Sequence, residues 1–296
     1  MREKEGMTRT VRKAGRVASS LLLVSDLDAT LLNEETYDFD EVRPLLRFLG
    51  ERGIPLVLAS SKTRKEMDAV QAELDVHGPF ICENGGAVVI PPGFFPGPVP
   101  GVVVIDGKEV LELGRPVRVL QQAVGRMATD AALTVRTILE MNVDEVAALT
   151  GLSKEKAALA RDREYILPFQ HEGPDAAMEA FRRKAEREGL RVVQGGRFHH
   201  LMGDVGKGKA LSRLRTIFES DGDLRYVVAL GDAENDLGLL RGANRAVVIP
   251  RQSGWEWKLM EVSGVRPASR RAPGGWADEV WAVLNEFGIG LVDLAE

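Results

Sequence analysis

A single cysteine, Cys82, in a chain of 296 residues has nothing to pair with, so an internal disulfide and a thiolate metal cluster are both excluded. A reducing, cytoplasmic setting is the expectation. Histidine is also scarce, at four residues. His199 and His200 are neighbours on a strand pattern without other ligand types beside them, so no zinc site is expected. One ring should face the core and the other a crevice. No apolar run approaches the ~18–20 residues that span a bilayer, and no membrane partner is expected. Basic residues are not in excess: 39 Lys and Arg stand against 44 Asp and Glu, a net charge of −5. A nucleic-acid partner is therefore not expected, and a small anionic substrate has to be met by a local basic site.

The remaining composition, 44% hydrophobic and 28% charged, is that of a globular chain with room for two domains. Residues 1–18 read as a basic leader carrying Arg2, Lys4, Arg9, Arg12, Lys13 and Arg16. The apolar run Val17–Val24 is broken by Ser19 and Ser20 and runs into Asp26 with no small-residue cleavage site. A buried strand, not a signal peptide, is the expectation.

Short apolar runs then alternate with helix-period segments: strand Leu21–Ser25, helix Glu41–Glu51, strand Ile54–Ala59, helix Arg64–Leu74. The rhythm returns in a helix at Lys207–Ser220, a strand at Tyr226–Leu230, a helix at Glu234–Leu240 and a strand at Arg245–Ile249. Both ends are expected in one parallel sheet covered by helices on both faces, an α/β fold. The Pro/Gly-rich stretch Pro91–Pro98 opens a segment of different texture. Residues 91–202, including a strand at Val102–Ile105, read as an inserted α+β domain. Residues 19–90 and 203–285 form the first domain, with 286–296 as a tail.

Chemistry gathers where strands end. Asp26 and Asp28 follow the first strand, two residues apart and therefore on one side of an extended segment. The carboxyl ends of parallel strands open on the crevice where ligands bind. Two carboxylates so close call for a divalent cation or a shared proton, although alone the pair reads equally as an Asx turn. The second strand delivers Ser60, Ser61, Lys62 and Thr63 at a helix start, a setting for an anion or for a plain serine cap. Tyr226–Leu230 delivers Gly231-Asp232-Ala233-Glu234-Asn235-Asp236, whose acids match the oxygen ligands of Mg²⁺ or, more simply, cap the next helix. Gly203 to Lys209 satisfies most of a P-loop, but Ala210 replaces its hydroxyl residue. Lys207 is better read as a point charge for a phosphate attacked by Asp26. Asp26, Asp28, Ser60, Lys207, Asp232 and Asp236 together supply what phosphoryl transfer through an aspartyl-phosphate needs.

The order D-x-D-x-T, Ser60, Lys207-Gly208 and Gly231-Asp232-x-x-Asn235-Asp236 resembles the haloacid dehalogenase-like (HAD) phosphatases, and the large insert resembles the cap of their Cof-type branch. Ser61–Glu66, Glu83–Gly86, Leu149–Ser153, Arg163–Tyr165, Gly195–Phe198 and Gly274–Trp276 resemble the mannosyl-3-phosphoglycerate phosphatases. The resemblance implies a Rossmann-like core with a C2B-type cap, and a cytoplasmic phosphatase forming mannosylglycerate, an osmolyte. It implies Mg²⁺ held by Asp26, Asp232, Asp236 and the Asp28 carbonyl, with Asp26 as nucleophile, Asp28 as acid/base, and Ser60 and Lys207 holding phosphate. Substrate contacts fall on Lys62, Thr63, Asn84, Gly85, Gly86, Arg197 and Asn235, with Arg197 and Lys62 facing the glycerate carboxylate. Lys62 reads equally as a surface ion pair. A broader Cof-type sugar phosphatase, a glucosyl-3-phosphoglycerate phosphatase and a phosphosugar-binding module without turnover are the alternatives.

Two positions depart from the resembled pattern. Ala29 stands where the family usually has Gly, a harmless change where the backbone φ is negative. Leu167 stands where a Glu commonly precedes Pro-Phe, so a carboxylate expected of the cap is missing.

Overall fold

The computed structural model of the chain describes residues 20–195, 197–220 and 225–290. The basic leader, Gly196 and most of the C-terminal tail lie outside the described residues. Along the chain run β1 (Leu21–Ser25), α1 (Arg43–Glu51), β2 (Leu56–Ala59), α2 (Arg64–Leu74), β3 (Phe80–Cys82), β4 (Ala87–Ile90), β5 (Val103–Ile105) and β6 (Lys108–Glu112). A second domain holds α3 (Val117–Ala131), β7 (Thr134–Thr137), α4 (Val143–Thr150), α5 (Lys154–Arg161), β8 (Ile166–Glu172), α6 (Asp175–Arg187), β9 (Arg191–Gly195) and β10 (Phe198–Met202). The chain then returns through α7 (Lys207–Ser220), β11 (Tyr226–Gly231), α8 (Leu237–Arg241), β12 (Arg245–Val248), α9 (Trp257–Met260), β13 (Arg266–Pro267) and α10 (Gly274–Glu286).

The large sheet has nine strands in the order β13-β12-β11-β1-β2-β3-β4-β6-β5. From β13 to β3 all pairings are parallel. Alternation along the buried strands sends Leu21 and Leu23 to one core with Phe80 and Trp276, and Leu22 and Val24 to another with Val57 and Leu214. The expectation of a wholly parallel sheet needs correcting, because β4, β6 and β5 continue it antiparallel. Val103–Ile105, expected in the insert, is thus an edge strand of the large sheet. The Pro/Gly run that marks a change of texture only connects β4 to that edge.

The second sheet is antiparallel, β7-β8-β10-β9. Leu167, Phe169 and Leu201 face one way, into a core with Leu120 of α3 and Phe181 of α6. Phe198 faces the other way, against Val146 of α4 and Ala157 of α5. Leu167 is fully buried in the helix-side core. The leucine therefore serves packing, and the missing carboxylate removes no group from the opposite face. Among the described residues no helix is long and apolar enough to cross a membrane.

Candidate active site

Four adjacent strands of the large sheet, β12, β11, β1 and β2, bring Arg251, Asp232, Asp26 and Ser60 to one rim at or just beyond their carboxyl ends. Asp26 is held from two sides. Its N–H donates to the Leu230 carbonyl at 3.0 Å, and its carbonyl accepts from Ser25 Oγ at 2.6 Å. Ser25 Oγ in turn accepts from the indole of the fully buried Trp276 at 2.9 Å. The strand end is thereby fixed before any ligand arrives.

Lys207, the first residue of α7, is buried with its ammonium 2.5 Å from Asp26 Oδ1 and 2.7 Å from Asp236 Oδ1. The other Asp236 oxygen accepts the N–H groups of Asp232 and Ala233, both at 3.1 Å. Asp232 accepts from Thr30 Oγ1 at 2.7 Å and from Arg251 Nε. Asp232 is thus part of a polar network and not a helix cap. One carboxylate oxygen from each of Asp26, Asp232 and Asp236 lies within 4.8 Å of the other two.

Burial pushes the Asp26 carboxyl well above the ordinary aspartate range; Lys207 opposes this, while Asp236, Asp232 and Asp28 reinforce it. Burial and Asp236 likewise raise Asp232, against Thr30 and Arg251. Desolvation works against the Lys207 ammonium, but Asp236 and Asp26 outweigh it and hold its pKa above that of an ordinary lysine. A buried set of three acids facing few cations favours added positive charge.

Asp28 stands apart from this cluster. Its carboxylate is partly exposed and receives Lys62 Nζ at 2.5 and 2.7 Å. Lys62 remains charged: burial disfavours the ammonium, and Asp28 more than restores it. Between them, Ala29 has φ 60°, contrary to the negative φ on which its tolerance was argued. The family glycine at this place suits a left-handed turn that alanine adopts only with strain. Thr30, Leu31 and Leu32 all donate their N–H to the Leu27 carbonyl, which holds the turn closed.

Ser60 is buried, and its Oγ accepts the Lys62 N–H at 3.3 Å. Neither Ser60 nor Ser61 caps α2. Thr63 does so in a capping box with Glu66, and its hydroxyl also donates to the Leu159 carbonyl of α5. Asn84 Oδ1 accepts from Asn235 Nδ2 at 3.1 Å, drawing those two residues together. Gly85, at φ 94°, leans on the start of α7: a Cβ there would lie 2.4 Å from the Gly206 carbonyl oxygen. A Cβ on Gly86 would lie 2.5 Å from that of Tyr165. Lys209, the lysine of the P-loop pattern, is exposed and paired with Asp204.

Arg197 is exposed and lies away from this rim. It lines a cavity of about 500 Å³ walled wholly by the second domain, with Arg136, His171 and His199 among its neighbours. His199 packs against the rings of Phe169 and His171 at 5.6 and 4.8 Å. His200 points the other way, where burial and then Arg163 depress it to about 4. A different cavity, about 410 Å³, adjoins Lys62 between Tyr37, Arg43 and α2 on one side and Lys156 of α5 on the other.

Sequence reasoning missed Arg251, and it placed Glu83 and Trp276 in stretches of family resemblance without giving either a role. Arg251 follows a parallel strand, so the strand-end rule could have found it. Trp276 and Glu83 act through contacts that no local pattern announces.

A family model for haloacid dehalogenase-like hydrolases matches residues 23–92. A glucosyl-3-phosphoglycerate/mannosyl-3-phosphoglycerate phosphatase of Persephonella marina is 33% identical over 273 residues, covering 90% of this chain and 98% of that protein. A mannosyl-3-phosphoglycerate phosphatase of Pyrococcus furiosus is 34% identical over 227 residues, covering 76% and 88%. Among solved structures, a HAD phosphatase of Bacteroides thetaiotaomicron aligns with TM-score 0.62 and 17% identity, over 91% of this chain and 95% of that one. A Thermotoga maritima protein aligns with TM-score 0.63 and 19% identity, over 88% and 96%. At these identities the structural likeness is one of fold.

Proposed function

The chain belongs to the haloacid dehalogenase-like hydrolases and, within them, to the family of the glucosyl-3-phosphoglycerate/mannosyl-3-phosphoglycerate phosphatases, and from that premise we propose that it hydrolyses glycosyl-3-phosphoglycerates through an aspartyl-phosphate on Asp26. The observation that carries the reading is the buried Asp26–Lys207–Asp236 chain at the end of β1. The pairing holds Asp26 in place and sets a fixed cation where phosphate oxygens must come. The relative from Persephonella marina bears both sugar names, which supports accepting mannosyl and glucosyl substrates alike.

Three mutually adjacent carboxylates, hard oxygen donors in a buried setting, fit a divalent cation of the Mg²⁺ type. Asp26, Asp232 and Asp236 would hold it, with the Asp28 carbonyl as a further donor. Bound there, Mg²⁺ supplies positive charge that lowers repulsion between the substrate phosphate and these acids.

The Asp26 carboxylate attacks phosphorus as the bond to the ester oxygen breaks. Once Lys62 turns to the substrate, Asp28 takes up a proton from solvent and gives it to the departing alkoxide. In the second step Asp28, now ionised, takes a proton from water as the water oxygen attacks the acyl phosphate, releasing phosphate and restoring Asp26. Lys207 and Ser60 hold equatorial oxygens as charge develops on them. Lys62, lying on Asp28, is placed to exchange that partner for the glycerate carboxylate. The cavity adjoining Lys62 takes the glycosyl group, with the Tyr37 ring as one wall. A location in the cytoplasm and a small-molecule substrate as the partner complete the reading.

Phosphate release in Mg²⁺ from mannosyl- and glucosyl-3-phosphoglycerate, 3-phosphoglycerate and simple hexose phosphates tests it. The glycosyl phosphoglycerates should give the highest kcat/KM. A preference for hexose phosphates would leave only the general phosphatase assignment, and no turnover of any ester would favour a binding module.

A further inference from the structure

Glu83 is fully buried at φ 46°, and its carboxylate does something the chemistry above does not use. One oxygen accepts the N–H of Glu164 at 2.8 Å, and the other accepts those of Tyr165 and Ile166 at 3.0 and 2.7 Å. These three groups lie at the start of β8, in the second domain. The same short segment is tied down again on either side. Arg163 donates to the Ser61 carbonyl at 2.9 Å, and the Glu164 carboxylate receives Arg64 of α2 at 2.9–3.2 Å. Tyr165 lies over Gly86, its ring in the core of the large domain and its hydroxyl donating to Glu112.

The other side of Glu83 is the phosphate-binding rim. Its N–H donates to the Lys62 carbonyl and that of Asn84 to the Ser60 carbonyl, both at 2.9 Å. Gly85 rests on the backbone that starts α7 and presents Lys207. One turn thus touches Ser60, Lys62, the base of Lys207 and the root of the second domain.

We infer that Glu83 is a positioning residue that registers the second domain on the phosphate-binding rim through its three backbone hydrogen bonds. The inference rests on the phosphatase reading and adds to it the device that keeps leaving-group recognition and phosphate binding in one geometry. A carboxylate suits the place because both its oxygens only accept. The amide of a glutamine offers one acceptor and turns donors toward N–H groups. The segment Arg163–Ile166 is then the fixed point about which the rest of the second domain can move.

Glu83→Gln tests this with two substrates, the preferred glycosyl-3-phosphoglycerate and p-nitrophenyl phosphate, whose small leaving group needs little from the second domain. Misplaced recognition should raise KM for the glycosyl substrate by roughly tenfold or more, while kcat/KM for p-nitrophenyl phosphate stays within about threefold. Equal losses on both substrates, or no loss on either, would overturn the inference. Arg64→Gln frees the same segment at Glu164 without touching Glu83 and should give the same split, smaller in size. That variant carries the test where Glu83→Gln fails to fold. A wild-type enzyme indifferent to glycosyl phosphoglycerates would instead sink the substrate reading, and the split would then be read on whichever large phosphate ester it prefers.

Discussion

The rim of the large sheet and the cavity around Arg197 in the second domain both gather polar side chains, and they do so in opposite ways. On the rim, Asp26, Lys207, Asp232 and Asp236 are buried and bonded to one another. Around Arg197 the polar groups are spread over an open cavity, and His171 Nδ1 and His199 Nδ1 have no hydrogen-bond partner. Desolvated charges survive only when compensated, so the rim is a site whose members cannot be changed singly without cost.

The sharpest break in this comparison is at the rim. Asp26→Asn should abolish turnover in Mg²⁺ while far-UV circular dichroism stays unchanged, and retained activity would remove Asp26 as nucleophile. Asp28→Asn should lower kcat by roughly 10²–10⁴-fold, the scale of acid/base loss. Lys207→Ala should cost about 10²–10³ in kcat. It should also cost about 3–5 kcal/mol in urea unfolding of the metal-free protein, because two buried acids lose their shared cation. Lys209→Ala, a change to an exposed pair, should do neither. Severe loss confined to Lys209→Ala, with nucleotide binding, would revive the P-loop reading.

A second test sets the two regions against each other directly. Lys62 touches Asp28, whereas Arg197 lies in the second-domain cavity. Lys62→Met should therefore raise KM for a phosphoglycerate substrate by about tenfold, the worth of a charge-assisted contact. Arg197→Ala should raise it less and should not matter for a hexose phosphate, whereas Lys62→Met also releases Asp28 and should lower kcat on both substrate classes alike. The reverse order would move the carboxylate site into the second domain.

The second domain also carries a pH response of its own. His200 is depressed to about 4 by burial and then by Arg163. The unfolded chain binds its proton near pH 6.5 and the folded chain does not, so stability falls with pH between those values. The contribution is whole above about 6.5 and gone once pH drops through about 4, a change on the order of 3 kcal/mol. His200→Phe should flatten that part of the stability profile in thermal unfolding. An unchanged slope would mean that His200 is not the group concerned.

Asp26, Ser60 and Asp232 were legible because each follows a short buried strand, and strand ends in a parallel sheet converge, whereas Lys207 opens a helix and was legible only from its Gly-Lys motif. Leu21–Ser25 and Arg64–Leu74 have the boundaries their periodicity gives. Four kinds of feature were hidden for physical reasons. The antiparallel continuation of the large sheet through β4, β6 and β5 is a matter of which strands pair, and no run within a single strand encodes it. The Glu83 clasp joins residues about eighty positions apart. The depth of Leu167 depends on which face of β8 meets α3 and α6. The sign of φ at Ala29 depends on how the chain turns back onto the Leu27 carbonyl.

That last residue gives the smallest expected effect. Ala29 at φ 60° bears the left-handed strain of an L-residue, about 1–2 kcal/mol. Replacing it with glycine relieves that strain but adds freedom to the unfolded chain, worth about 0.4–1 kcal/mol in the opposite sense. The methyl is nearly fully buried, and removing it forfeits about 0.8 kcal/mol more. The three contributions almost cancel, so Ala29→Gly should shift stability by less than about 1 kcal/mol. Asp28, held by Lys62, and Thr30, held by Asp232, keep their partners on either side, so kcat should stay within about twofold of wild type. Ala29→Val adds a branched side chain to the same strained turn and should lose both stability and activity. A tenfold change in kcat from the glycine alone would show that the alanine methyl itself sets the position of the acid/base group, and that this departure from the family pattern is functional.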